Sequence, residues 1–279
     1  MLDLKQTEDF LYAFFCEKTN MEAKNLGKIE IENIWKRGFT DSDMLKVEAE
    51  CRKNTSENTD ELIEKYTKLE QSRKGNYVSS DLMKMVFPFY KDDIENRRKY
   101  NLAVSNSAAC LANETYRRQV ENPNIKRCIF VAGPYGAGKS FLIQSLYEMH
   151  PEELEDCVVY EGSITTKSID GKIDYALEHN KKVDIIIINP TFELSLKNIK
   201  ERAGRIGRDV RREDASTVYA NIYQALNRLL SKYKDINYVI YNKKTNIPTD
   251  LSVSTNVEDL NHGSYEEVLN EYDNIMKNI

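Results

Sequence analysis

The chain has 279 residues and carries 40 Lys and Arg against 45 Asp and Glu, a net charge of −5, with 41% hydrophobic and 30% charged residues. That length can bury the core of one large domain, or of one domain with an appendage, and needs no disulfide or metal to fold. The acidic balance lacks the basic surplus of a dedicated nucleic-acid binder, and the aromatic, patterned composition does not suit a disordered chain.

Five cysteines, Cys16, Cys51, Cys110, Cys128 and Cys157, are scattered and never form a CxxC pair. This argues against a disulfide framework or a zinc site and for reduced core thiols. The opening MLDLKQTEDFLYAFF has no basic n-region and no small-residue cleavage site, and the apolar run VDIIIIN is strand-length. No export signal, bilayer anchor or membrane partner is expected, and the expected location is cytoplasmic. His150, His179 and His262 lie far apart without ligand-spaced carboxylates and are read as surface residues.

In chain order, residues 1–74 read as a helical N-terminal extension. LDLKQTEDFLYAFF and ELIEKYTKLE have helical apolar spacing, and CRKNTSENTDE between them is polar enough for a loop or helix start. The core is expected over 75–279. GNYVSSD reads as a short strand, followed by the helical stretches DLMKMVFPFY and KYNLAVSNSAACLANETYRRQ. After the turn ENPN, CIFVAGPYGAGKSFLIQSLYEM reads as strand, glycine loop and helix, and CVVYEGS as a second strand. IDGKIDYALEHNKK predicts a helix, VDIIIINP a buried strand, and SLKNIKERAGRIGR a helix entering an arginine-rich loop. DASTVYANIYQALNRLLSKY predicts a long helix and INYVIYN a strand. Alternating helices and apolar strands predict an α/β fold, a doubly wound, mostly parallel sheet with helices on both faces.

Gly133, Pro134, Tyr135, Gly136, Ala137, Gly138, Lys139 and Ser140 match G-x-x-x-x-G-K-[ST] in full, between a predicted strand and a predicted helix. In such a loop the backbone N–H groups converge on phosphate, Lys139 reaches the β- and γ-phosphates, and the Ser140 hydroxyl ligates Mg²⁺. The alternative is an ordinary glycine-rich turn. VDIIIIN ends in Asn189 where ATPases and GTPases usually carry Asp, and Asn242-Lys243-Lys244-Thr245 lacks the Asp of a guanine-reading motif. Both departures argue against a motor ATPase or a GTPase. Glu161, closing VVYE, is the acid at a suitable strand end, for magnesium or a substrate hydroxyl, or else a solvated carboxylate. Arg202, Arg205, Arg208, Arg211 and Arg212 follow a strand and helix where small-molecule kinases place a lid, and can neutralise a transferred phosphoryl group or form a solvated basic face.

Together, GPYGAGKS, EGSITT, the spacing of Ser195 and Arg202, the following Gly207-Arg208 and the strand INYVIYN resemble the zeta toxins, P-loop kinases of epsilon/zeta toxin–antitoxin systems. The resemblance covers roughly residues 81–241 and implies a P-loop NTPase-type fold. The family's catalytic Asp lies in a D-x-x-x-x-x-x-P-x-Y segment between the P-loop helix and the E-G-T strand. Here that pattern stands upstream, with Asp81, Pro88 and Tyr90 at the same offsets. This implies a permuted order, with the Asp strand moved ahead of the P-loop strand.

On that resemblance Asp81 is the general base, Lys139 and Ser140 serve phosphate and magnesium, and Glu161 and Ser163 flank magnesium and substrate. Arg202 and Arg208 stabilise the transferred phosphoryl group. Thr165, followed by Thr166, stands where the family carries an arginine beside the acceptor, so acceptor identity is open. The implied function is transfer of the ATP γ-phosphate, with Mg²⁺, to a hydroxyl of a nucleotide sugar, UDP-N-acetylglucosamine first, by a toxin with an antitoxin partner. The alternatives are a kinase of another nucleoside, nucleotide or sugar, and a nucleotide-binding regulatory protein without kinase activity.

Overall fold

The computed structural model describes residues 29–91, 93–247 and 250–278. The first helical expectation, LDLKQTEDFLYAFF, lies outside the described residues. Helices α1 (Ser42–Glu57) and α2 (Thr59–Thr67) lead into strand β1 (Tyr77–Ser79). Four helices follow: α3 (Ser80–Met83), α4 (Pro88–Lys91), α5 (Ile94–Tyr100) and α6 (Ser105–Glu121). Strand β2 (Arg127–Ala132) enters α7 (Lys139–Met149), β3 (Cys157–Glu161) enters α8 (Ser168–Glu178), and β4 (Lys182–Pro190) enters α9 (Phe192–Ile206). The chain closes with α10 (Arg212–Lys232), β5 (Asn237–Lys243), β6 (Leu251–Ser254) and α11 (Tyr265–Met276).

The six strands form one sheet in the order β1-β3-β2-β4-β5-β6. All neighbours are parallel except β5 and β6. Alternate residues of β2 face opposite sides, as the period of a strand requires. Cys128, Phe130 and Ala132 join a large core with α1, α2, α6, α8 and α10, whereas Ile129 and Val131 pack with Ile143 of α7 and with Leu154. Both faces are therefore covered, which accounts for the apolar runs in β2, β3 and β4. Phe192, Leu196 and Ile199 of α9 form a third cluster with Tyr219 of α10 and Val268 of α11.

Over CRKNTSENTDE the expected helix start is present, with α2 beginning at Thr59, but the residues before it continue α1 to Glu57 instead of forming a loop. Burial overrides the polar composition: Cys51, Arg52, Thr55 and Ser56 are all buried. The Arg52 guanidinium donates to the carbonyls of Ile34 (2.8 Å) and Ile31 (2.7 Å), so its charge is hydrogen-bonded inside the fold. Val47, Leu62, Ile63 and Tyr66, all from within 1–74, share one cluster with the sheet residues Val78 and Phe130. The buried Tyr66 hydroxyl donates to the Tyr77 carbonyl (2.7 Å) and accepts from the Ser79 N–H (3.1 Å), satisfying the open edge of β1. No helix among the described residues is long and apolar enough to cross a membrane.

Candidate functional site

Because β1 to β5 run parallel, their C-terminal ends meet at one edge of the sheet, in the spatial order Ser79, Glu161, Ala132, Pro190, Lys243. Open parallel sheets carry their ligands at this edge, beside the strand from which the order reverses. Here that strand is β2, since β3 lies on one side of it and β4 on the other.

The glycine loop follows β2. A Cβ at Gly133 (φ 143°) would lie 2.4 Å from the Ile188 carbonyl, and one at Gly136 (φ 75°) would lie 2.2 Å from the Ser195 carbonyl. Both glycines are required by close backbone approach as well as by their positive φ. Helix α9 holds the loop from outside: the buried Ser195 hydroxyl donates to the Tyr135 carbonyl, and Asn198 Nδ2 donates to the Gly136 carbonyl at 2.8 Å. Ala137 is buried, and the Lys139 ammonium donates to the carbonyls of Gly133 and Pro134 at 3.0 Å each. Burial lowers the Lys139 pKa, Glu161 opposes that shift, and Arg202 adds to it.

Glu161 accepts from the Ser140 hydroxyl (3.0 Å) and from the Tyr77 hydroxyl. The residues expected to serve magnesium therefore sit together, with a tyrosine the sequence reading did not single out. Asp81 lies two residues beyond β1, in a helix capped by the Ser79 hydroxyl, and its carboxylate pairs with Arg208 Nη2 and with Lys84 Nζ (2.9 Å). Lys84 also donates to Asn101 Oδ1 at 2.8 Å. Burial pushes the Lys84 ammonium down to about 7, with Arg37 and Arg202 adding to the shift. Burial likewise pulls Arg208 down to about 10, against the attraction of Tyr77.

Arg202, one turn before the end of α9, has its Nε shielded from solvent without a hydrogen-bond partner among the described residues. Burial lowers its pKa, and Glu161, Tyr135, Tyr90 and Asp209 pull the other way. The other arginines expected to form a lid are placed differently. Arg205 is exposed, Arg211 pairs with Asp214 at 2.8 Å, and Arg212 pairs with Asp273 of α11. The Ser163 and Thr165 hydroxyls bond each other at 2.7 Å just past β3, and the exposed Thr166 bonds Ser168 at the start of α8. Arg228 fixes this loop through the Ile164 carbonyl (3.1 Å) and Asp170 (2.8 Å).

Asn189 is tied into the frame of the fold. Its Nδ2 donates to Asn242 Oδ1 and to the Asp259 carbonyl, both at 2.8 Å, and its Oδ1 meets His262 Nε2 at 2.9 Å. His262, read from sequence as a surface residue, is instead stacked on Tyr219 with ring centroids 4.0 Å apart. Lys84 carried a signal in the sequence, one helical turn after Asp81, whereas Tyr77 carried none. Among the described residues no three His, Cys, Asp or Glu side chains cluster as a metal site.

Fold and site define an α/β protein with a cationic cluster around two carboxylates, at the C-terminal edge of a mostly parallel sheet. No protein-family model matches the sequence, and no curated protein matches it.

Proposed function

We propose that the chain is an ATP- and Mg²⁺-dependent small-molecule kinase of zeta-toxin type, with a doubly wound P-loop NTPase-type fold. Its acceptor is the hydroxyl of a nucleotide sugar, UDP-N-acetylglucosamine first, and its setting a toxin–antitoxin pair. The observation that carries the reading is the placement of Asp81. It precedes the glycine loop by a long stretch of chain, yet its strand lies parallel to β3 in the register Ser79↔Glu161, and its carboxylate pairs with Arg208 of the lid. Asp81, Arg208 and Glu161 thus stand at the strand ends of one edge of the sheet, which supports a permuted order.

The residues present fit the groups that the reading requires. Gly133 and Gly136 admit no Cβ, because one would meet the Ile188 and Ser195 carbonyls, so the loop keeps the glycine-only backbone that a phosphate-binding turn uses, and the Ser140 and Glu161 oxygens form a hard donor pair suited to Mg²⁺. Magnesium, when bound, neutralises phosphate oxygens, and ATP is the phosphoryl donor. The protein's part is positioning and charge. Asp81 takes the proton of the acceptor hydroxyl as its oxygen bonds to the γ-phosphorus and the bond to the β,γ-bridging oxygen breaks, leaving ADP. Lys139, Arg202 and Arg208 offset the negative charge of the phosphoryl group in flight.

The test is incubation with ATP, Mg²⁺ and a panel of nucleotide sugars, nucleosides and sugars, followed by ³¹P NMR. Transfer by wild type that is absent in Lys139→Ala and Asp81→Asn supports the kinase, and the acceptor consumed identifies the substrate. ATP binding without transfer to any acceptor favours a nucleotide-binding regulatory protein.

A further inference from the structure

We infer that Lys84 is a positioning residue for the base: anchored from behind by Asn101 and Tyr90, it fixes one oxygen of the Asp81 carboxylate and keeps that carboxylate ionised. The inference rests on the kinase reading, in which Asp81 takes the proton of the acceptor hydroxyl.

Asp81 carries two cations placed in different ways. Lys84 Nζ donates to its Oδ1 at 2.9 Å, and Arg208 Nη2 donates to its Oδ2. The Lys84 side chain is 8% exposed against 37% for Asp81, so the pair is closed on the lysine side and open on the carboxylate side, where an acceptor hydroxyl can approach. Met83, Val86 and Phe87, buried around Lys84 in the chain, close it in. Its ammonium also donates to Asn101 Oδ1 at 2.8 Å, at the end of α5. The buried Tyr90 donates its hydroxyl to the same oxygen (3.5 Å), and its ring centroid lies 6.0 Å from the ammonium, within range of a cation–π contact. Pro88 is the first residue of α4, the short helix that carries Tyr90. Asp81 and Tyr90, linked in the sequence by spacing, are thus linked in space through Lys84 and Asn101.

The two charges depend on each other. An ammonium taken out of water is costly unless it is paired, and the carboxylate that pairs with Lys84 is Asp81. Burial, Arg37 and Arg202 all act against the Lys84 charge, and Asn101 and Tyr90 face it as neutral groups. A cation at hydrogen-bond distance in turn favours the ionised form of a carboxylate, lowering its pKa by about 1–3 units. Arg208 is the partner that a phosphoryl group competes for, whereas Lys84 is enclosed and bonded on its far side, so it stays with Asp81. Oδ1 remains fixed, and Oδ2 is the oxygen that accepts the proton as the acceptor oxygen bonds to the γ-phosphorus and the bond to the β,γ-bridging oxygen breaks to leave ADP.

The experiment has two readouts on wild type, Lys84→Met and Lys84→Arg. The first is the titration of the Asp81 carboxyl by ¹³C NMR, with the resonance assigned through Asp81→Asn, and it needs no activity. Its midpoint should rise by about one unit or more in Lys84→Met and return toward wild type in Lys84→Arg. The second is phosphoryl transfer against pH. In Lys84→Met kcat should fall by about tenfold or more with ATP affinity near wild type, and the acid limb of the profile should move to higher pH with the Asp81 midpoint. Lys84→Arg should restore the limb. Asn101→Leu keeps both charges and removes the anchor behind the lysine, so its kcat should fall while the Asp81 midpoint stays near wild type. An Asp81 midpoint unmoved in Lys84→Met overturns the inference, and so does a lower kcat with an unmoved acid limb, the pattern of a merely structural lysine. A wild-type rate in Asn101→Leu overturns the anchoring. A wild type that transfers phosphate to no acceptor overturns the kinase reading, and the role of Lys84 in it, whatever the titration shows.

Discussion

Arg208 reaches back 127 positions along the chain to donate to the carboxylate of Asp81. The lid arginine expected to neutralise phosphate thus rests on the acid expected to act as base, and each holds the other ready at the edge of the sheet. Under the kinase reading the two fail differently from a phosphate-binding residue. Asp81→Asn should lower kcat by about 10²- to 10⁴-fold, the worth of a positioned general base, and leave ATP affinity near wild type. Arg208→Ala should lower kcat by about 10³-fold or more, also with little change in ATP affinity. Transfer rates set beside equilibrium ATP binding check both, and an Asp81→Asn enzyme with wild-type kcat removes Asp81 from the mechanism.

Glu161 is oriented from two sides, by the Ser140 hydroxyl and by the buried Tyr77 hydroxyl. A second donor that fixes a metal-directed carboxylate is worth about 10- to 100-fold in metal affinity or activity. Tyr77→Phe keeps the ring and removes only that donor. The Mg²⁺ concentration for half-maximal transfer should rise by about tenfold, while the rate at saturating Mg²⁺ recovers most of its wild-type value. A magnesium titration that superimposes on wild type would show that the Tyr77 hydroxyl does not position Glu161 for the metal.

His262 stacks on Tyr219, and burial pushes its pKa down to about 4 from the ordinary value of 6.5. The unfolded chain therefore binds a proton between pH 6.5 and 4 that the folded chain refuses, so this residue makes stability fall as the pH drops through that window and contributes no slope above it. At ~1.4 kcal/mol per unit the full effect is about 3 kcal/mol. His262→Gln keeps a donor toward Asn189 and cannot titrate. Urea unfolding at pH 7, 5.5 and 4.5 should show a shallower acid loss in the variant than in wild type. Parallel curves would mean that the histidine is not titrating from a buried site.

Much of the sheet was legible because its strands are apolar runs bounded by turn residues, and the glycine loop because eight consecutive residues satisfy one motif. Other parts depended on tertiary burial. The polar stretch after Cys51 is helical because Arg52 and Thr55 turn inward, which composition does not reveal. Strand β6 is short, with two of its four residues exposed, and carries no strong pattern, whereas α11 carries a capping box of Ser264 and Glu267 that sequence reasoning could have used. Asp81 was singled out only because its spacing to Pro88 and Tyr90 resembles a segment of the zeta toxins. Tyr77 belongs to no motif, and its bond to Glu161 exists only in three dimensions.

Tyr66 connects the early helices to the site. Its hydroxyl bridges the Tyr77 carbonyl and the Ser79 N–H, so α2 completes the free edge of β1, two residues before Asp81. Tyr66→Phe leaves a buried carbonyl and a buried N–H without partners, at a cost of roughly 2–4 kcal/mol. It should also loosen the placement of Asp81, so kcat should fall about tenfold or more while ATP affinity holds, because the glycine loop stands on β2 and α9 instead. General destabilisation would give a different pattern. Leu62→Ala removes buried volume from the same helix without touching the bridge, and should cost a similar 2–5 kcal/mol while kcat at a temperature where both variants are folded stays near wild type. If the two variants lose activity in step with their melting temperatures, α2 serves stability only, and the hydroxyl bridge has no separate part in positioning the base.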